Sequence, residues 1–112
     1  MHEMSLAINI VALAEAECRA AGAGRIRRVE VEVGGLAGVM PEALRFCFAA
    51  ACRETMAEGA ELEIIVVDGQ GECASCRRPA PMAEHFALCP ACGGLMRPLQ
   101  GQELRLAAIE VD

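Results

Sequence analysis

The order of hydrophobic and polar residues predicts two helices and two strands in the first part of the chain. Hydrophobic residues recur every three or four positions over residues 4–21, which predicts an amphipathic helix ended by a glycine-rich segment. Over residues 26–33 and 61–67, hydrophobic and acidic residues alternate, the pattern of strands with one buried face. A second helix is expected from Pro41 to about Met56, because proline is favoured at the first helical position.

The residues expected to face the core follow from these periods. They are Met4, Leu6, Ile8, Ile10, Val11 and Leu13 in the first helix; Val29, Val31 and Val33 in the first strand; Leu44, Phe48 and Cys52 in the second helix; and Leu62, Ile64 and Val66 in the second strand. With only three phenylalanines and no tyrosine or tryptophan, such a core must be largely aliphatic.

The pattern changes after residue 68. Residues 69–101 contain four of the five prolines, four of the seven cysteines and little hydrophobic periodicity. They carry three arginines and two acidic residues, a net charge of +1, whereas residues 1–68 carry six arginines and eleven acidic residues, a net charge of −5. Residues 103–111 are strand-like again, and a lone strand needs a partner, so we expect this one to join the first sheet.

These elements predict an α+β protein with an insertion. The expected fold is a small αβ domain, two helices on a three-stranded sheet, formed by residues 1–68 and 102–112. Residues 69–101 are expected to form a separate zinc-binding module inserted before the last strand. The length of 112 residues allows one domain carrying such a module, but not two full-sized domains.

Four cysteines form the strongest motif in the sequence. Cys73 and Cys76, and then Cys89 and Cys92, make two CxxC pairs separated by twelve residues. Each CxxC turn can present two thiolates, and four thiolates suit a tetrahedral zinc ion with a closed coordination shell. We therefore expect a structural zinc. A module of about thirty residues also needs such a metal, because it cannot bury enough surface to fold alone.

Other interpretations of the cysteines stay open at this point. An iron–sulfur cluster also uses four thiolates. A redox-active CxxC normally lies at the start of a helix in a βαβ unit, a setting that these pairs lack. Cys18, Cys47 and Cys52 lie in helical segments without CxxC spacing and are interpreted as small buried hydrophobic residues. His85, between the pairs, is interpreted as a solvated residue rather than a fifth ligand.

Charge and hydropathy exclude several functional classes. The net charge of −6 argues against nucleic-acid binding, which needs a cationic face. No apolar run is long enough to span a membrane, and the opening residues lack the basic region of a signal peptide. We expect a cytoplasmic protein with reduced thiols and without a nucleic-acid or membrane partner. No nucleophile–base pair, nucleotide loop or open metal site is visible, so an enzyme is not expected.

The histidine at position two has two interpretations. Near a chain end it can be an ordinary exposed side chain. Alternatively, the imidazole of His2, the α-amine of Met1 and neighbouring backbone amides can chelate one ion, a nitrogen-rich set that suits Ni(II) or Cu(II). Glu3 adds a carboxylate and a further amide. Because the amides must lose protons to bind, affinity for such an ion is expected to rise with pH.

The opening residues, MHEMSLA, belong to a set of segments that together resemble a known family. The other segments are residues 33–36, 39–48 and 55–64, both CxxC pairs, and residues 101–104 and 109–111. In this combination the sequence is similar, over essentially its whole length, to the HypA/HybF family of hydrogenase maturation nickel chaperones.

This resemblance implies a function and two metal sites. Such proteins deliver Ni(II) to the precursor of the large subunit of nickel–iron hydrogenase, working with the nickel-binding GTPase HypB. Carried over to this sequence, the nickel cargo binds at Met1, His2 and Glu3, and the structural zinc cofactor binds at the four CxxC cysteines. The expected protein is a non-enzymatic metallochaperone, a monomer or weak homodimer, without catalytic residues.

The sequence departs from the family at two kinds of position. Some members carry a histidine directly after the second cysteine of a pair, and it can enter the zinc site as pH or nickel loading changes. Here those positions are Arg77 and Gly93, so this switch is expected to be absent. Ala37 stands where serine is common, and we attach no consequence to it.

The main alternative function is a zinc-ribbon adaptor that binds another protein or a nucleic acid. Arg77 and Arg78 give this alternative a small basic patch beside the ribbon. Nucleic-acid binding that weakens with salt would distinguish it from metal delivery.

Overall fold

The computed structural model describes residues 2–112 and contains two helices and six strands. In chain order the elements are α1 (His2–Ala20), β1 (Ile26–Gly34), α2 (Pro41–Ala51), β2 (Glu61–Val67), β3 (Gln70–Cys73), β4 (Pro79–Pro81), β5 (Met96–Gln100) and β6 (Leu104–Val111). The strands form two three-stranded sheets, with the orders β2-β1-β6 and β4-β3-β5. The predicted α+β class, with two helices and a three-stranded sheet, is confirmed, and the last strand lies beside β1.

The chain divides into two compact units. The first contains residues Met1–Glu32, Val39–Ile65 and Arg105–Asp112, and the second contains Val33–Gly38 and Val66–Leu104. The predicted domains, 1–68 with 102–112 and 69–101, differ from these units in the placement of residues 33–38 and near each boundary. The predicted division into residues 1–68 with 102–112, and residues 69–101, stays a prediction.

In the first unit, α1 packs against α2 through an aliphatic core. The buried residues of α1 are Glu3, Ala7, Ile10, Val11, Ala14 and Cys18, those of α2 are Leu44, Cys47 and Phe48, and β1 contributes Ile26, Val29 and Val31. Val33, also buried in β1, belongs to the second unit. The alternating valines of β1 and the predicted core positions of α2, including Cys52 just after it, are confirmed.

The predicted buried face of α1 is partly wrong. Ile8 and Leu13 are more than half exposed, whereas the alanines at 7 and 14 are fully buried. The buried positions themselves recur at three- and four-residue spacing, so they form a continuous stripe that is as regular as the predicted one. Small side chains in that stripe let the helix approach its neighbour closely, and the larger residues at 8 and 13 lie to either side of it.

Helix α2 ends at Ala51, five residues earlier than predicted. Glu54 adopts a left-handed backbone conformation with φ of 60°, which a helix cannot continue through. The hydroxyl of Thr55 donates to the carbonyl oxygen of Cys52 at 2.6 Å, and the carboxylate of Glu58 accepts the backbone N–H of Glu54 at 3.2 Å. These local bonds satisfy backbone groups that would otherwise continue the helix.

Strand β2 has the predicted bounds, but its inner face is less buried than expected. Leu62 and Ile64 are half-buried, and Val66 is 57% exposed. The strand lies at the edge of its sheet, which explains the weaker burial of this face.

The second unit is a small antiparallel sheet over its own hydrophobic cluster. Strand β3 pairs with β4 on one side and with β5 on the other. Beneath them, Leu36, Cys73, Met82, Cys89 and Met96 form one buried cluster. Two members of this cluster are cysteines of the CxxC pairs, so the core of the unit and its thiol groups are parts of one structure.

We predict that a matched pair of leucine substitutions separates buried from exposed helix positions. Leu44→Ala removes a fully buried side chain and is expected to lower the free energy of unfolding by about 2–5 kcal/mol. Leu13→Ala, at a position 56% exposed, is expected to change it by less than about 0.5 kcal/mol. Denaturant unfolding of the two variants measures both values, and a large loss in Leu13→Ala would contradict the described helix face.

Candidate metal centre

The two CxxC turns have the same backbone design. In the first, the N–H of Arg77 donates to the carbonyl oxygen of Cys73 at 3.0 Å, and in the second the N–H of Gly93 donates to that of Cys89 at 2.8 Å. The donor residue has a positive φ in both turns, 64° for Arg77 and 79° for Gly93. Glycine adopts this conformation without strain, whereas arginine at the equivalent position is held there by the turn.

The turns bring four sulfur atoms together. Within residues 2–112, the thiols of Cys73, Cys76, Cys89 and Cys92 form a potential metal site whose Sγ atoms all lie within 4.8 Å of one another. The Sγ atoms of Cys73 and Cys92 are 3.4 Å apart, and those of Cys76 and Cys89 are 3.7 Å apart. A tetrahedron of thiolates about 2.3 Å from a zinc ion has edges of about 3.8 Å, so the four sulfurs fit such an ion closely.

Backbone N–H groups stabilise negative charge on the two inner sulfurs. The N–H groups of Ser75 and Cys76 donate to Sγ of Cys73 at 3.3 and 3.4 Å. The N–H of Cys76, followed by that of Ser75, lowers the pKa of Cys73 to about 6. The pKa of Cys89 is lowered in the same way by the N–H groups of Cys92 and Ala91. The backbone N–H groups thus stabilise negative charge at both positions.

The outer sulfur of Cys92 shows why a cation is needed. The backbone N–H of Gly94 lowers the pKa of Cys92, but the neighbouring sulfurs of Cys73 and Cys76 raise it, and the net effect is a pKa of about 11. A positive charge placed among the four sulfurs would stabilise their thiolate forms. The donor set thus fits a divalent, thiolate-binding metal.

The other cysteines and His85 stand apart from this cluster. Cys18, Cys47 and Cys52 are buried, as predicted. Burial, with a smaller contribution from the charge of Glu15, raises the pKa of Cys52 to about 11, so this thiol stays neutral and unreactive. His85 is exposed and does not belong to the four-sulfur group, in agreement with its interpretation as a solvated residue.

The predicted nickel ligands lie at the start of α1. Met1 lies outside the described residues. His2 is exposed and is the first residue of the helix, whereas Glu3 is buried. The carboxylate of Glu3 accepts the backbone N–H of Met40 at 3.3 Å, and this bond is the main cause of its lowered pKa.

Met40 was not predicted to contact the opening residues. Thirty-seven positions separate it from Glu3, and no periodicity in the sequence links them. In the sequence, a methionine that directly precedes Pro-Glu indicates only where the loop ends and the helix begins. The contact arises because α1 and α2 pack together, which sequence patterns alone do not specify.

A small αβ unit with an exposed terminal histidine, together with a four-cysteine module, defines a metal-binding protein with two separate candidate sites. A sequence model described as "Hydrogenase/urease nickel incorporation, metallochaperone, hypA" matches residues 1–111. The chain belongs to this HypA family. This match confirms the resemblance drawn from the sequence. The protein is therefore a relative of metallochaperones that act in hydrogenase maturation.

Individual relatives support the assignment over the full length. The chain is 49% identical to a hydrogenase maturation factor HypA of Methylocella silvestris and 45% identical to one of Geobacter metallireducens. Each alignment covers 100% of this chain and 100% of the relative. The solution structure of the Ni metallochaperone HypA from Helicobacter pylori is 27% identical. The structural alignment covers 99% of this chain and 97% of the Helicobacter pylori chain, with a TM-score of 0.71.

We predict that the four-cysteine site is lost when one inner ligand is removed. Cys73→Ser deletes a thiolate that also lies in the hydrophobic cluster, and the variant is expected to lose most of its bound metal and the ordered structure of its second unit. Cys47→Ala, at a buried cysteine outside the cluster, is the matched control and should keep one metal ion per chain. Mass spectrometry of metal content and NMR dispersion measure both effects, and full metal retention in Cys73→Ser would contradict the assignment.

Proposed function

We propose that this protein is a non-enzymatic nickel metallochaperone that binds Ni(II) at Met1, His2 and Glu3 and delivers it during maturation of nickel–iron hydrogenase. Membership of the HypA family over residues 1–111, which include these three residues, is the observation that carries the proposal. The exposure of His2 supports it, since a cargo ion must be reached both by free nickel and by a receiving protein.

The helical start of the chain suits a nitrogen-rich nickel site. The first N–H groups of a helix have no partner in the helical ladder, and that of Glu3 bonds only its own carboxylate, so the nitrogens of His2 and Glu3 can serve as metal ligands once deprotonated. When two successive backbone nitrogens bind one ion, the ion and the atoms N, Cα, C and N form a five-membered ring. The torsion of those four backbone atoms is ψ, so the ring needs a ψ near zero. A helical ψ of about −42° is much nearer to this than the extended value of about +135°. With the imidazole of His2 and the α-amine of Met1, these amides would supply a nitrogen-rich set suited to Ni(II).

We assign structural zinc to Cys73, Cys76, Cys89 and Cys92. The sulfur separations fit a tetrahedral ion, and four thiolates leave no open position for exchange with a client. When bound, zinc supplies charge compensation and a cross-link between the two turns. The chain's own groups hold the cysteines in place, through the hydrophobic cluster and the N–H groups directed at their sulfurs.

The proposed route of delivery follows from the openness of the terminal site. A terminal chelate can pass its ion on one donor at a time, whereas an enclosed site must first unfold. We propose the GTPase HypB as partner and the precursor of the hydrogenase large subunit as client, in the cytoplasm, where thiols stay reduced. In the part of the chain described here, residues 2–112, no helix is both long enough and apolar enough to cross a membrane.

We predict that His2→Ala abolishes stoichiometric Ni(II) binding while zinc content and fold are unchanged. The imidazole is the only side-chain nitrogen in the proposed set, and its loss leaves a chelate that cannot hold the ion at comparable affinity. Calorimetry with Ni(II) on untagged protein measures the effect. His85→Ala, which removes the other histidine from an exposed position, is the matched control and should bind nickel normally.

Two results would contradict the proposal. One is normal nickel affinity in His2→Ala, and the other is loss of nickel binding in His85→Ala. A third variant, with one residue added before Met1, displaces the amine from the chelate and is expected to weaken nickel binding even though every side chain is retained.

A further inference from the structure

We infer that the carboxylate of Glu3 positions the nickel-binding residues rather than coordinating the ion, by fixing the first turn of α1 to the start of α2. This inference rests on the proposed function, since it concerns the same terminal site. It assigns Glu3 a backbone contribution to nickel binding and a separate task for its side chain.

The start of α2 lacks the groups that normally satisfy a helix N-terminus. Met40 occupies the N-cap position with extended backbone angles, φ of −89° and ψ of 114°, and makes no side-chain capping bond. In a capping box, a glutamate or glutamine at the third helical position accepts the N–H of the N-cap residue. In α2 the third position is Ala43, which has no acceptor.

The carboxylate of Glu3 takes the place of that missing acceptor. It accepts the backbone N–H of Met40 at 3.3 Å, from a different helix. It also brings a negative charge near the positive end of the α2 dipole, where such a charge is stabilising. Glu3 is only 9% exposed, and the bond to the more exposed Met40 is partly buried.

This contact engages one oxygen of the carboxylate, Oε2, and holds the side chain against the start of α2. A carboxylate turned away towards an ion would give up this hydrogen bond and its favourable interaction with the α2 dipole. The backbone N–H of Glu3 lies outside the helical hydrogen-bond ladder and bonds only its own carboxylate, so its use by nickel would leave the contact with Met40 in place. The contact instead holds the turn in the helical geometry that a chelate of adjacent nitrogens needs.

A second carboxylate on α1 provides a matched control at the other end of the helix pair. Glu15 accepts the backbone N–H of Met56 at 3.2 Å, in the turn that follows α2. The two contacts have the same chemistry, similar lengths and the same donor type. Only the contact of Glu3 lies beside the proposed nickel site. An effect on nickel binding that is seen in Glu3 variants and not in Glu15→Ala therefore cannot come from a general weakening of the packing between α1 and α2.

The test compares Glu3→Ala, Glu3→Gln and Glu15→Ala in the zinc-loaded, untagged protein. Glu3→Ala lets the terminal turn fray, and if one chain in five remains competent, nickel affinity falls about fivefold. Glu3→Gln keeps an oxygen acceptor for Met40 and is expected to bind within about twofold of the parent. Glu15→Ala should lower stability but leave nickel affinity unchanged. Hydrogen exchange at the Met40 amide should accelerate only in Glu3→Ala, and the nickel absorption spectrum should keep its shape in all three.

The outcomes separate this inference from the proposed function. Equal losses in Glu3→Ala and Glu3→Gln, with a changed nickel spectrum, would identify the carboxylate as a ligand and overturn the inference. Parent-like affinity in Glu3→Ala would also overturn it, because the contact would then position nothing. In both cases a loss of nickel in His2→Ala leaves the proposed function standing, whereas normal nickel binding in His2→Ala removes the proposed function itself.

Discussion

The close approach of four cysteine sulfurs is the constraint on which the second unit depends. The Sγ atoms of Cys73, Cys76, Cys89 and Cys92 lie within 4.8 Å of one another, and the raised pKa of Cys92 reflects the presence of its neighbours. A cation among them would balance the charge of the thiolates and at the same time join two turns that are distant in sequence. Because two of the sulfurs also belong to the hydrophobic cluster, metal binding and core formation become one event in this unit.

In the first unit, two carboxylates of α1 connect the helices, one buried and one partly buried. Glu3 and Glu15 each reach from α1 to a backbone N–H at one end of α2. Both bonds satisfy donors that lie outside the helical hydrogen-bond pattern, so they orient one helix on the other where an aliphatic core alone would permit sliding. A precise helix pair holds the first turn of α1, which begins at the exposed His2, in a defined place.

The sequence predicts most of the elements because their signals are local. Alternating valines define β1, and the spacing of CxxC pairs defines the four-sulfur cluster before any coordinates are known. The end of α2 was missed because the competing bonds of Thr55 and Glu58 involve side chains that also occur within helices. The partner of Glu3 was missed for another reason, since hydrogen bonds across thirty-seven residues depend on how the helices pack.

The two cysteines within each CxxC turn differ in exposure, and this difference determines which sulfurs a reagent reaches first. Each contributes one buried sulfur, from Cys73 or Cys89, and one exposed sulfur, from Cys76 or Cys92. A competing chelator or an oxidant can therefore reach only the outer pair at first, while the inner pair stays covered and supported by backbone N–H groups. Loss of a bound metal ion would then begin at the exposed sulfurs, with the buried pair the last to let it go.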